Sequence, residues 1–510
     1  MPKLQVSRHP IKGRSVVASA AIQSGEVIHL ALPYAIVPDA EQYARTCALC
    51  LSVSVAVPSL SIHCLGCTQT FYCSKKCQEG DSKLHQLQCV SIQDIPLCLG
   101  TSLGPNVEEY TRLLIRVLAR RFCELESELC SPSSQDSKVE AEGIADGTPI
   151  PLFSSNETFA SVWKLVSNAE NYTSDRLKNE FLPVALLLTR MLIIHLFPKL
   201  PENTVFSSPE CLLPKCADKC LIELATSAVF QKDTPISDNY LFRELCLLST
   251  SNVAKPMLKT DTVVALLAST LALICKEECN SFGHYMYSIL GPQHPRQGYA
   301  VGLHASAVFF NHSCVPNVGH VPRNSLPMLS NPITQSPVQH PGMMVFYAIE
   351  DIKKGQELCL NYLGPIPREK IDSPPTSLSN VYSRKQQLKD VFRFECDCVR
   401  CSVEVGMKAH DESVNDFMTQ LLNKHVNLYV CQQDGCRGYL VPSQALIVGV
   451  LEGSAELESN DNSKWLSEPF GNLVAFTELA ANVGAANLSM KHIVPLFMNG
   501  SNWQRAMELA

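Results

Sequence analysis

Eight metal-ligating side chains crowd into residues 47–89, and no other stretch of the chain constrains its fold as tightly. Cys47, Cys50, Cys64, Cys67, Cys73, Cys77, His85 and Cys89 read as C-x2-C, C-x2-C, C-x3-C and H-x3-C. Four pairs of soft or borderline donors suffice for two closed tetrahedral Zn²⁺ sites, and closed sites are structural rather than catalytic. So short a segment has almost no hydrophobic core, so metal binding must supply most of its folding free energy. The chain carries 23 cysteines in all. Its amino terminus, MPKLQVSRHPIKGRS, shows no apolar h-region after its charges, so the chain is expected to stay inside the cell with its thiols reduced.

The run YCSKKCQEGDSKLHQLQC, together with the two C-x2-C pairs before it, resembles the MYND zinc finger. The resemblance implies an interleaved ligand set, with Cys47, Cys50, Cys73 and Cys77 on one zinc and Cys64, Cys67, His85 and Cys89 on the other. It also implies that the finger recruits protein partners, although Ser82 stands where such fingers usually carry Trp.

Length and composition bound the rest. With 510 residues, 46% of them hydrophobic and 18% charged, the chain has enough apolar surface for more than one core. A formal charge of −7 argues against a general grip on nucleic acid phosphates, and Lys75, Lys76 and Lys83 of the finger read as a solvated face, so direct DNA binding is not expected. The most apolar windows, Phe181 to Phe197 and Thr262 to Cys275, are interrupted by Arg190 and His195 or are too short to cross a bilayer. They read as buried core helices, and no membrane association is expected.

Along the chain, the patterning predicts an α+β fold. GRSVVASAAIQSGEVIHLALPYAIV predicts a β-hairpin around Ser24-Gly25, so the finger interrupts a β-domain already begun over 1–46. From 90 to 275 the spacing turns helical in TRLLIRVLARRF, FLPVALLLTRMLIIHLF and TVVALLASTLALIC, with residues 131–157 too polar to be more than a mobile loop. β signals return in GYAVGLHASAVFF and in GMMVFYAIEDIKKGQELCLNY, where Lys354-Gly355 predicts the turn of a second hairpin, while Val321 to Pro341 reads as a surface loop. Residues 403–510 look helical in SVNDFMTQLLNKHV and NLVAFTELAANVGAANLSMKHIVPLFM and carry no chemistry that can be named.

Three motifs follow one another late in the chain: Asn311-His312-Ser313-Cys314-Val315-Pro316-Asn317, then Glu357-Leu358-Cys359-Leu360-Asn361-Tyr362, then Phe394-Glu395-Cys396-Asp397-Cys398-Val399-Arg400-Cys401. Singly, an Asn-His pair is usually a turn and a lone Tyr a core residue with its hydroxyl paired. In this order NHSCxPN, GxELxxxY and CxCxxC resemble the SET domain with its post-SET tail, and with the finger they resemble the SET-and-MYND family of protein-lysine methyltransferases. The implied layout is a SET-domain β-fold interrupted by the finger at 47–89 and by a helical insert at 90–275. It continues with core SET residues 276–365, a zinc-bound post-SET segment at 380–402 and a helical C-terminal region at 403–510.

C-x-C-x2-C leaves a tetrahedral zinc one ligand short, and the resemblance names Cys314 as the fourth beside Cys396, Cys398 and Cys401. Cys211, Cys216 and Cys220, and the pair Cys431 and Cys436, come closest to a further ligand pattern, with buried free thiols as the plainer reading. The same resemblance implies S-adenosylmethionine and three structural zinc ions as cofactors. It places Gly13, Arg14, Asn280, Asn311, His312, Tyr362 and Phe394 at the cofactor, with Phe394 stacked on adenine and Tyr362 as the catalytic residue that orients the substrate amine. That amine must be neutral to attack, and desolvation lowers a lysine pKa. The substrate would be a histone or another protein with an accessible lysine, the protein a monomer, the location nucleus and cytoplasm. The competing reading is a catalytically weak scaffold that recruits protein partners, suggested by Ser15, Ser82 and Phe392 where relatives commonly carry glycine, Trp and a second channel tyrosine.

Overall fold

The computed structural model describes residues 2–406 apart from 11, 25, 55–57, 100–104, 131–145, 155–156, 201–207, 231–259, 287–296, 323–340 and 364–380. The helices expected beyond 406, and Cys431 with Cys436, lie outside the described residues.

Strands β1 (Leu4–His9) and β2 (Gly13–Ala18) form an antiparallel hairpin in which Leu4 faces Ala18 and His9 faces Gly13. Gly13 closes the turn at φ +72°, a conformation that an L side chain adopts only with strain. The hairpin expected around Ser24-Gly25 does not form. Strand β3 (Val27–Ala31) turns away from β2 and pairs with residues 344–347. Strand β4 (Ala35–Pro38) leads to the cysteine-rich segment, whose small ribbon joins β5 (Ile62–His63) to β6 (Phe71–Tyr72).

Helix α1 (Lys75–Leu99) runs through the expected boundary at 89, carrying Cys77, His85 and Cys89 on its first turns and continuing against α2 (Pro105–Cys130). The expected mobile loop 131–157 is corrected at its far end. There β7 (Pro149–Ile150) extends the β1 edge, β8 (Phe153–Ser154) pairs in parallel with β3, and the buried Glu157 carboxylate accepts the Ser306 backbone N–H at 2.8 Å. Its composition is polar, but two-residue strands need only an open sheet edge and a carboxylate needs only a donor.

Helix α3 (Ser174–Lys199) is long and apolar enough to cross a membrane by length and composition, yet 61% of its apolar window is buried inside the protein. The charge that interrupts it is accommodated: Arg190 pairs with Asp94 of α1 and contacts His195. With α4 (Lys219–Phe230) and α5 (Thr260–Asn280) it builds a helical core around Leu114, Phe181, Leu187, Leu267 and Leu271. Each such side chain contributes about 1.5–3 kcal/mol when buried.

After α5 come β9 (Ser281–Met286) and β10 (Gln297–Leu303), then the short β11 (Asn311–His312), β12 (Val318–Pro322), β13 (Met344–Ala348) and β14 (Glu357–Leu360). The second expected hairpin is also re-paired. Lys353 to Gly355 do form a turn, with Gly355 at φ +83°, but β13 pairs with β3 and β12 while β14 pairs with β2 and β11. The two strand–turn–strand units therefore join arm to arm, stitched by an isolated bridge between Ile22 and Ile352. Val16, Ile28, Phe310, Phe346, Leu358 and Leu360 form the core they enclose. Of the loop expected at Val321 to Pro341, its first two residues complete β12. Helices α6 (Val381–Phe392) and α7 (Val399–Gly406) close the tail.

Candidate active site and zinc clusters

Three groups of four ligands come together: Cys47, Cys50, Cys73 and Cys77; Cys64, Cys67, His85 and Cys89; Cys314, Cys396, Cys398 and Cys401. Within each, all ligand atoms lie within 4.8 Å of one another. Cys50 and Cys77 each stand 3.5 Å from Cys73, Cys64 is 3.7 Å from Cys89, and Cys314 is 4.0 Å from Cys396 and 3.6 Å from Cys401. A tetrahedron with Zn–S bonds of about 2.3 Å spaces its sulfurs by roughly 3.8 Å, so the donor geometry fits zinc. None of these cysteines is in a disulfide.

His85 lies 3.6 Å from Cys67 through Nε2, and burial lowers its pKa, which favours the neutral form that binds metal. The surroundings suit thiolates: Ser52 Oγ is 3.0 Å from Cys50 Sγ, and an Arg384 guanidinium N–H donates to Cys401 Sγ at 3.6 Å. Among the described residues, Cys211, Cys216 and Cys220 do not join a cluster of this kind. Elemental analysis of purified protein should find three zinc ions per chain, and one or none would contradict the assignment.

The cluster of Cys314, Cys396, Cys398 and Cys401 adjoins the candidate active site, packing with Tyr362 and Phe394. Strand β11 lies parallel to β14, placing Asn311 opposite Cys359 and His312 opposite Leu360. Asn311 Nδ2 donates to the Arg14 carbonyl at 3.2 Å and to Glu357 Oε1 at 3.0 Å, tying β11 to β2 and β14. His312 Nδ1 accepts the Tyr362 backbone N–H at 3.0 Å, which leaves Nε2 as the protonated nitrogen, 3.3 Å from Cys314 Sγ. Burial pushes the His312 pKa down to about 4, so the ring is neutral near pH 7. It thus links the Tyr362 backbone to a zinc ligand.

Tyr362 is fixed at a second point by its hydroxyl, which donates to the Phe310 carbonyl at 2.6 Å. Burial raises its pKa, keeping it a phenol. Its ring centroid lies 4.9 Å from Phe392, 5.3 Å from His312 and 6.2 Å, edge to face, from Phe394. Of the other expected residues, Arg14 is joined to β11 through its carbonyl, which accepts from Asn311. The Arg14 guanidinium lies 4.8 Å over the Phe309 ring and donates to the Lys164 carbonyl at 3.2 Å, and Asn280 Nδ2 donates to the Val166 carbonyl at 3.0 Å. Gly13 stands at the exposed turn, with nothing within 4 Å of where a Cβ would be.

Ser15 is buried with its hydroxyl donating to the Ser7 carbonyl at 3.2 Å, and it has no left-handed backbone angle. Its side chain is therefore occupied by β1.

Sequence reasoning missed several supports. Asn317 donates to the Glu357 carbonyl and accepts the Cys359 N–H, both at 2.8 Å, pinning β14 in place. It closes the NHSCxPN motif, and that position was its only signal. Lys276, one helical turn before Asn280, donates to the Leu165 carbonyl and lies 5.4 Å from the Trp163 ring, with a pKa lowered by burial. An isolated lysine in a helix gives no sequence signal.

The SET-domain family model matches residues 13–363. A SET and MYND domain-containing protein of Dictyostelium discoideum is 21% identical over 89% of this chain and 93% of its own length. Histone-lysine N-methyltransferase ASHR2 of Arabidopsis thaliana is 28% identical over 30% of this chain and 32% of its own length, so the chain spans only about a third of that relative. Histone-lysine N-methyltransferase SMYD3 of Mus musculus is 28% identical over 25% of this chain and 24% of its own length. A match running from the β1–β2 turn to Tyr362, joined to full-length similarity with a SET and MYND protein, shows that the chain belongs to the SET-domain family, in its SET and MYND domain-containing branch.

Proposed function

We propose that the protein is an S-adenosylmethionine-dependent protein-lysine N-methyltransferase. The observation that carries this reading is the fixing of Tyr362 at two polar points, its N–H on His312 and its hydroxyl on the Phe310 carbonyl, beside a zinc-ligand cluster. The names of the mouse and Arabidopsis relatives support the same reaction class. The surrounding donor set fits the cofactor: cationic Arg14 and Lys276 suit its carboxylate, the Phe394 and His312 rings suit adenine, and backbone carbonyls near Asn280 and Asn311 suit its ammonium. Bound there, the cofactor would supply a methyl group on a positively charged sulfur.

The chain's own residues do the rest. Tyr362 oxygen retains lone pairs after donating to Phe310, so it can orient a substrate amine. Because the tyrosine stays protonated, it adds no negative charge that would hold that amine as ammonium. The zinc clusters have four protein ligands each and serve as structure. Histones or other proteins with an accessible lysine are the proposed substrates, in nucleus and cytoplasm, with the finger as a site for protein partners.

The test is transfer of a radiolabelled methyl group from S-adenosylmethionine to proteins of a cell extract, followed by identification of the modified residue. Label on lysine supports the reading. Purified protein that binds the cofactor and labels nothing would favour the scaffold.

A further inference from the structure

Adjacent residues of the post-SET tail turn in opposite directions. Phe394 faces the SET core, 5.9 Å from the His312 ring, while Arg393 reaches into the helical insert, its guanidinium carbon 4.4 Å from the Tyr172 ring centroid. The reversal is made by Arg393 itself, which sits at φ +65°, a conformation that costs an L residue free energy and persists only where surrounding contacts impose it. Arg393 Nε is buried without a hydrogen-bond acceptor, so that edge of the guanidinium is compensated by no oxygen and the aromatic face is the partner its geometry offers.

Tyr172 is itself held rigidly. Its ring meets Phe181 edge to face at 5.1 Å, its hydroxyl lies 3.2 Å from Cys279 Sγ, and only 7% of the residue is exposed. Arg176, whose guanidinium carbon lies 5.6 Å from the same ring centroid, is paired with Glu180 and Glu278. Asn168 Nδ2 donates to the same Cys279 sulfur at 3.8 Å from a left-handed backbone at φ +46°. Among the described residues, four non-glycine positions have positive φ, and two of them, Asn168 and Arg393, converge here. Cys279 precedes Asn280, whose side chain donates to Val166 in the same insert segment. Three stretches far apart in sequence, 166–172, 279–280 and 393–394, thus share one cluster.

We propose that Tyr172 and Arg393 form a cation–π clamp that fixes the Phe394 segment against the cofactor cleft, making both positioning residues for S-adenosylmethionine binding. What the cleft holds rests on the methyltransferase reading above; the clamp itself is a property of the apoprotein. A free tail would have to be ordered at each binding event, and that cost would weaken affinity without touching the chemical step. The helical insert thereby acts on the cofactor through the tail.

Arg393→Gly is the cleanest variant, because glycine adopts φ +65° without strain while the side chain that reaches Tyr172 is removed. Calorimetry with S-adenosylhomocysteine should show Arg393→Gly and Tyr172→Leu each binding about tenfold more weakly, in the range a cation–π contact supplies. Tyr172→Phe keeps the ring that faces Arg393 and should bind more tightly than Tyr172→Leu. The double variant should be no weaker than the worse single variant, since one contact is lost once. KM for S-adenosylmethionine should rise while kcat at saturation holds.

Hydrogen exchange gives a readout that needs no cofactor: amides of 392–396 should exchange faster in Arg393→Gly while the zinc content stays that of wild type. Unchanged exchange and unchanged affinity in Arg393→Gly would overturn the clamp, as would strictly additive losses in the double variant. Wild-type protein that binds no S-adenosylhomocysteine would overturn the methyltransferase reading instead, leaving exchange at 392–396 to decide the clamp.

Discussion

Tyr362→Phe should methylate at least about a hundredfold more slowly than wild type while binding S-adenosylmethionine normally. The variant keeps the ring, and with it the packing on Phe392, His312 and Phe394. It keeps the backbone N–H on His312 as well, so the β14 end and the zinc tail stay joined. What it loses is one hydroxyl, and with it the donor to the Phe310 carbonyl. Leaving that carbonyl short of a donor costs about 1–3 kcal/mol, a shift of a few degrees in melting rather than a loss of fold. The catalytic cost is larger because the same oxygen is the polar group placed to orient an amine, and positioned groups of this kind commonly contribute roughly 10²-fold. The split between kcat and cofactor affinity is therefore the measurement. A variant as active as wild type on a confirmed substrate would move the active centre away from Tyr362.

The zinc sites were legible because ligand spacing is a local property: a C-x2-C pair presents two sulfurs whatever surrounds it, and the interleaved pairing implied by the family resemblance is the one the structure forms. Strand pairing was not legible. GRSVVASAAIQSGEVIHL has the alternation and the turn of a hairpin, yet β2 pairs with β14 and β3 with β13. Period-2 patterning identifies a strand and its buried face but not its neighbour, and here the favoured neighbours lie more than 300 residues away along the chain.

The parallel contact of β11 with β14 was hidden for the same reason, and it is this contact that brings Asn311 and His312 to Tyr362. Tyr172 and Arg393 lay beyond sequence reasoning altogether. A tyrosine in the insert and an arginine beside Phe394 are ordinary residues until the fold sets one over the other.

Two substitutions with the same local chemistry should have different consequences, because their zinc clusters lie in different places. Cys50→Ser and Cys398→Ser should each lower the zinc content from three ions to two, since either leaves a tetrahedral site with three strong ligands. Cys50 belongs to the finger cluster with Tyr72, and none of the contacts of His312, Tyr362 or Phe394 described above involves that cluster. Its loss should spare cofactor affinity.

Cys398 sits four residues after Phe394, in a cluster packed with Val381, Leu388, Phe392 and Tyr362. A zinc held by this cluster would keep Cys314 a thiolate, the form best able to accept the hydrogen bond of the His312 Nε2–H, 3.3 Å away. Cys398→Ser should therefore weaken S-adenosylmethionine binding by about tenfold or more, equivalent to at least about 1.4 kcal/mol. Calorimetry on both variants, with zinc measured on the same samples, separates the cases. Equal affinities after equal zinc loss would show that the tail does not shape the cleft. An affinity lost only in Cys398→Ser would show that a metal far too saturated to touch the reaction still governs it through the position of Phe394.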